Sequence, residues 1–197
     1  MSETSSGKNF YQENSRLYFS RTVAVDPAPF LTPFVRHLKT SATVLDIGCG
    51  SGRDLLWLKE RGFRPTGLER AAGLAELAGD YSGCNVIVGD FESFDFTSLA
   101  VDAVMACGSL VHIPHERLAA LISRILTALA GSGIVYISLK QGQGMKTDRF
   151  GRVFYLWEQG RLDDIWCQAG LSVISLSCGQ SVLNSTDNWL AYVLKRE

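Results

Sequence analysis

The order in which apolar runs alternate along this chain constrains its fold more than any other feature. Thr43–Ile47 is a short β-branched and apolar stretch that stops at glycine, and after it Leu55, Leu56 and Leu58 fall on a helical stripe ending at Gly62. Similar short runs recur at 65–68, 85–88, 101–106 and 133–139. Between them lie helical patterns at 71–78 and at Leu118, Leu121, Ile122, Ile125 and Leu129, the last spaced i, i+3, i+4, i+7, i+11. A helix near 158–169, closed by Gly170, precedes two final runs at 171–176 and 189–194. No helix separates those two, so they are predicted to be antiparallel. Such alternation predicts an α/β fold with a mostly parallel, seven-stranded sheet, helices on both faces and an antiparallel last strand. Ligands of these sheets bind at the carboxyl ends of the strands where strand order reverses, here expected beside the first strand at Gly48.

The chain's 197 residues suffice for one core, and 46% apolar with 20% charged residues is the balance of a folded domain. Residues 1–8 read as a frayed tail and 9–197 as a single domain, with two short helices before the first strand interrupted near Asp26–Pro27. Nineteen Lys and Arg against 20 Asp and Glu leave no bulk basicity, so nothing favours nucleic acid as a partner. The five cysteines have no zinc-like spacing and read as buried free thiols in a reducing compartment; no metal site is expected. With no apolar run of membrane-helix length and a polar start, a cytoplasmic protein is expected, its oligomeric state left open.

Three glycines at alternate positions, Gly48, Gly50 and Gly52, join the first strand to its helix. They let the backbone approach a ligand and take positive φ, while the helix directs its free N–H groups at that ligand. A dinucleotide fingerprint would need a third glycine at Arg53, and a P-loop would need a lysine and hydroxyl that Leu55–Leu56 cannot supply. Glu69 ends the second strand, 23 residues beyond Asp46, near the spacing at which an acidic residue meets ribose hydroxyls; Asp90 holds the equivalent place after the third.

The run Val44-Leu45-Asp46-Ile47-Gly48-Cys49-Gly50-Ser51-Gly52-Arg53-Asp54 resembles motif I of the Rossmann-like, class I methyltransferases that use S-adenosylmethionine (SAM). With Glu69, Asp90 and Gly108–Pro114, the likeness extends over roughly residues 10–195, as in small bacterial methyltransferase-domain proteins. It implies a three-layer Rossmann-like methyltransferase fold, SAM as cofactor, and S-adenosylhomocysteine (SAH) as product. It further implies that Asp46 orders the turn near the SAM amino end and that Gly48, Cys49, Gly50 and Ser51 pass the methionine part. Glu69 would grip the ribose, Asp90 the adenine amino group with Phe91 against the ring, and Cys107–Gly108 would line the sulfonium. Arg70 follows Glu69 where a small residue is common in the family. Residues 9–40 resemble that group's lid, in which Tyr18, assisted by Arg53, would hold the methionine carboxylate.

Transfer of a methyl group depends chiefly on holding nucleophile and methyl in line, and a nucleophile that carries a proton needs a base. His112, just after the fourth strand, is the candidate catalytic base; the other reading gives His112 and Pro114 the task of shaping the loop before the next helix. Tyr11, Lys140, Arg149 and Arg152 are the candidate acceptor-binding residues, the last three on a long glycine-rich stretch after the fifth strand. Tyr155 and Trp157 form either an aromatic wall or part of the core. The Asn/Asp-Pro-Pro-Tyr type of sequence carried by amino-directed DNA and protein-glutamine methyltransferases is absent, Ala106-Cys107-Gly108-Ser109 standing in its place. A small O, N or S nucleophile is thus the expected acceptor. The alternative is a protein that binds SAM for regulation or for other chemistry.

Overall fold

The computed structural model describes residues 6–181 and 186–197. Three short helices come first, α1 (Ser6–Glu13), α2 (Ser15–Thr22) and α3 (Ala28–Val35). The expected break at Asp26–Pro27 is real: the Asp26 carboxylate accepts the Ala28 N–H at 2.9 Å and so starts α3. Helix α1 begins at Ser6, inside the 1–8 stretch read as a tail, and residues 1–5 lie outside the described residues.

The alternating core follows as β1 (Thr43–Ile47), α4 (Arg53–Glu60), β2 (Arg64–Glu69), α5 (Ala72–Ser82), β3 (Asn85–Val88), β4 (Val101–Cys107), α6 (His115–Ile125) and β5 (Leu129–Lys140). The stretch after β5 is no plain loop: β6 (Met145–Thr147) and β7 (Val153–Tyr155) pair antiparallel as a separate hairpin. Helix α7 (Gln159–Gln168), β8 (Leu171–Gln180) and β9 (Asn188–Arg196) complete the chain. The main sheet has the order β3-β2-β1-β4-β5-β9-β8, and β9 alone runs against its neighbours. Strand order therefore reverses between β1 and β4, placing the switch point at the end of β1.

Strand alternation divides the core into two layers. One face carries Leu45, Ile47, Val104, Ala106, Val135 and Ile137 against α6 and α7. The α6 stripe buries Leu118, Leu121, Ile122 and Ile125, each contributing about 1.5–3 kcal/mol of apolar burial. The other face sets Val44, Met105, Tyr136 and Val193 against α3 and α4 through Leu31, Phe34, Trp57 and Leu58. The cysteines are free, but only Cys49 is buried; Cys167 and Cys178, on α7 and the edge strand β8, are exposed, which corrects the expectation of buried thiols. Among the described residues, no helix is long and apolar enough to cross a membrane.

Candidate functional site

The end of β1 turns sharply because three successive alternate glycines occupy the left-handed region, with φ of +69° at Gly48, +57° at Gly50 and +74° at Gly52. Each is hemmed in by a different neighbour. A Cβ on Gly48 would lie 2.5 Å from Ser109 Cβ, one on Gly50 would lie 3.2 Å from the Tyr18 ring, and one on Gly52 would lie 2.7 Å from the Ala78 carbonyl oxygen. Gly52 thus lets α4 and α5 pack closely, whereas Gly48 and Gly50 keep the turn narrow where the segment after β4 and helix α2 approach it.

Glu69, at the end of β2, reaches this turn. Its Oε2 accepts the Gly50 N–H at 3.1 Å and its Oε1 accepts the Ala71 N–H at 2.9 Å. Burial raises the Glu69 carboxyl above its ordinary range, opposed by those backbone N–H groups. Asp46 sits one strand over and is 1% exposed; its Oδ2 has no hydrogen-bond partner among the described residues. Burial, followed by the negative charges of Asp54 and Glu69, raises its carboxyl well above the usual value, with Arg53 opposing. An unpartnered buried carboxylate oxygen is costly unless a hydrogen-bond donor or a cationic group meets it. Arg53 clamps Asp54 through two bonds of 2.6 and 2.9 Å and lies 5.1 Å from the Phe30 ring centroid.

After β3, the Asp90 Oδ1 accepts the Glu92 N–H at 2.9 Å and Oδ2 lies 3.6 Å from Arg70 Nη1, so Arg70 and Asp90 face one another across the ends of β2 and β3. Phe91 packs half-buried against the larger core cluster. Helices α1 and α2 fold across this region. Gln12 accepts the Ala72 N–H at the start of α5 at 2.9 Å, and Tyr18 stands edge-on to Tyr11 at 5.1 Å.

His112 belongs to a different set of contacts. Its Nδ1 donates to the Val153 carbonyl at 2.6 Å, leaving Nε2 to accept the Tyr11 hydroxyl at 2.8 Å; Arg152 in turn donates to the Tyr11 oxygen at 3.3 Å. Burial, with the nearby charges of Arg152, Lys140 and Arg70, pushes the imidazole down to about 4 against the Val153 bond, so it is neutral at physiological pH. Arg152 is also held by Asp148 at 2.8 Å and stacks 4.4 Å from Phe10, tying α1 to the β6–β7 hairpin. Lys140 and Lys146 share the buried Asp187 carboxylate, the former at 2.5 Å. Arg149 is exposed and lies over Phe150, and Trp157 belongs to the core.

A cavity of about 400 Å³ opens beside the glycine turn. Its near end is Gly48, Cys49, Gly50, Ser51, Arg53, Cys107 and Gly108, all singled out in the sequence, with Tyr18 above. Its far part is lined by residues that no motif marks, among them Phe30, Tyr136, Ser138, Ser177, Trp189 and Ala191. The alternation within β5 shows which of its residues share a face, but only the pairing of β9 between β5 and β8 brings these positions together. Tyr11, His112, Lys140, Arg149 and Arg152 are not among the described residues that line it.

Residues 44–133 match the methyltransferase domain family. No curated protein matches the chain. Among solved structures it is similar to the Burkholderia thailandensis 1,6-didemethyltoxoflavin N1-methyltransferase, crystallised with its substrate and SAH, at 18% identity and TM-score 0.76, covering 96% of this chain and 84% of that one. It is similar to magnesium protoporphyrin IX methyltransferase from Synechocystis with bound SAM, at 18% identity and TM-score 0.66, over 96% and 85% of the two chains. A SAM-dependent methyltransferase of Methanosarcina mazei gives 14% identity and TM-score 0.73 over 87% and 99%. Over residues 44–133 the chain thus matches a methyltransferase domain, and its fold is the one these SAM-dependent methyltransferase structures share.

Proposed function

We propose that this protein transfers a methyl group from SAM to a small-molecule acceptor. The observation that carries the reading is the Glu69 carboxylate bonded to the Gly50 N–H at the sheet's switch point, with the Asp46 Oδ2, unpartnered among the described residues, on the neighbouring strand. A carboxylate so fixed keeps lone pairs for two ribose hydroxyls, and Asp46 offers a negative partner to the amino group. Gly48, Gly50 and Ser51 leave the main chain bare for the methionine part, whose carboxylate Tyr18 and Arg53 would meet. Asp90 would take the adenine amino group, with Phe91 on the ring and Arg70 holding Asp90. When bound, SAM would supply an electrophilic methyl carbon to the acceptor's lone pair, with the sulfur taking the C–S electron pair.

The chain's own part is orientation and exclusion of water, for which about 7–11 kcal/mol of barrier is available. His112 supports this by holding Tyr11, and so the lid, in place; to act as a base it would first have to give up the Tyr11 hydroxyl from Nε2. The adjoining cavity has the size of a small-ligand site. Two of the similar enzymes are named for small-molecule substrates, 1,6-didemethyltoxoflavin and magnesium protoporphyrin IX. Calorimetry with SAH tests the reading: micromolar binding is expected, and folded protein giving no heat of binding would overturn it. Transfer of radiolabelled methyl from SAM across a panel of heterocycles, amines, phenols and thiols then separates methyl transfer from SAM binding alone.

A further inference from the structure

We infer that the cavity beside the glycine turn is the acceptor pocket, and that it takes a neutral, flat, mostly apolar molecule lying across the sheet with its nucleophilic atom at Cys107–Gly108. This rests on the methyltransferase reading above. The cavity begins at Gly48, Gly50, Cys107 and Gly108, and runs away from them between the sheet and the lid. Its roof is Tyr18, Val25, Pro29, Phe30 and Pro33, contributed by α2, α3 and the segment joining them.

Strand register explains why there is room. Cys107 pairs with Ser138, Ser138 with Ala191, and Ala191 with Ser177, so one row of small side chains crosses β4, β5, β9 and β8. The next row towards the base of the sheet is Met105, Tyr136 and Val193, and the row towards its top holds Lys140 and Trp189. Large side chains thus flank a trough spanning three strand spacings, roughly 14 Å. Of the cavity's about 400 Å³ the inner end at Gly48, Gly50, Ser51 and Arg53 falls to the cofactor, and the remainder suits a flat, small-ring ligand and is too little for a peptide helix. A flat molecule fits between the sheet and the Phe30 ring.

The charge of the lining selects a neutral ligand. Arg53 and Asp54 cancel one another at the inner end. Burial holds Tyr18, Cys49, Cys107 and Tyr136 in their protonated, uncharged forms. The cations nearest by, Lys140 and Lys146, are committed to Asp187, and Arg152 to Asp148. The one carboxylate among the described lining residues, Asp54, is held by Arg53, which favours an acceptor whose lone pair is free at neutral pH, such as a ring or amine nitrogen. Its lone pair becomes the new bond to carbon, and any proton it carried leaves to solvent. The exposed β8 end offers Ser177 and Gln180 to the polar end of the ligand.

The test uses N-phenyl-1-naphthylamine, a neutral flat fluorophore, with the full-length protein saturated by SAH. Saturable fluorescence enhancement is expected, weakened at least tenfold by Ala191→Phe, which fills the middle of the trough, while SAH affinity stays within twofold. The anionic analogue 8-anilinonaphthalene-1-sulfonate is expected to bind at least tenfold more weakly. If Ala191→Phe does not fold by circular dichroism, Ser177→Phe on the exposed edge strand takes its place. The proposal is overturned if the filled trough binds the neutral probe as before, if SAH competes with the probe, or if the sulfonate binds better. A protein that binds the probe as expected but shows no SAH affinity sinks the methyltransferase reading and leaves the pocket standing.

Discussion

Replacing Gly48 with alanine puts the geometry of the turn to a quantitative test. Gly48 has φ of +69°, where an L side chain costs about 1–2 kcal/mol. The new Cβ would also fall 2.5 Å from Ser109 Cβ, well inside the roughly 3.5–4 Å of an ordinary carbon–carbon contact. Moving one chain segment to relieve that overlap costs about 1–3 kcal/mol, so Gly48→Ala is expected to lose about 2–5 kcal/mol of stability. Ser109→Gly removes the atom in conflict but leaves the backbone strain. The double variant therefore recovers the overlap part, a coupling of about 1–3 kcal/mol, and stays about 1–2 kcal/mol below the Ser109→Gly parent. Urea unfolding of the four proteins, followed by far-ultraviolet circular dichroism, measures the cycle. Additivity within about 0.5 kcal/mol, or a Gly48→Ala midpoint equal to that of the wild type, refutes the reasoning.

Glu69→Ala is expected to weaken SAH binding at least a hundredfold by calorimetry and, by leaving the Gly50 and Ala71 N–H groups without their acceptor, to destabilise the protein by about 1–3 kcal/mol for each group water cannot reach. Unchanged SAH affinity would remove Glu69 from the cofactor site. Asp46→Asn replaces a buried carboxylate whose Oδ2 has no partner, so the melting temperature of the free protein is expected to hold or rise while SAH affinity falls at least tenfold; the opposite pattern, lower stability with full affinity, assigns Asp46 to the fold instead. His112 has its folded value pushed down to about 4 from an unfolded value near 6.5. Between those values the unfolded chain takes up a proton that the folded chain refuses, so this contribution is complete above about pH 6.5 and lost on acidification towards 4, by up to about 3 kcal/mol. Urea midpoints of wild type and His112→Gln across that range should diverge in slope, and parallel curves count against the buried neutral imidazole.

The βα alternation, the switch point and the glycine turn were legible in the sequence because each depends on local pattern. Strands and helices announce themselves by periodicity, and alternate glycines ahead of a helix leave few other conformations. Gly48, Gly50 and Glu69 do lie together, since parallel pairing of β1 with β2 aligns Ile47 with Leu68. The segment before β1 was legible as helices with a break, but not their number, because short helices of mixed polarity carry little periodic signal. His112, Tyr11 and Arg152 were each visible as isolated candidates; that they bond to one another, with Tyr11 and His112 101 positions apart in sequence, depends on where α1 and the β6–β7 hairpin dock.

What the sequence alone determined is thus the fold class and the ends of β1 and β2, where neighbours in space are set by consecutive βα units. What only the tertiary structure decided is the far half of the cavity and the fate of the basic residues. Insertion of β9 between β5 and β8 lines up Ser138, Ala191 and Ser177, and brings Asp187 to Lys140 and Lys146. Long-range register and charge pairing of that kind leave no mark in any local window, because the contacts form between segments whose separate patterns would suit many other partners.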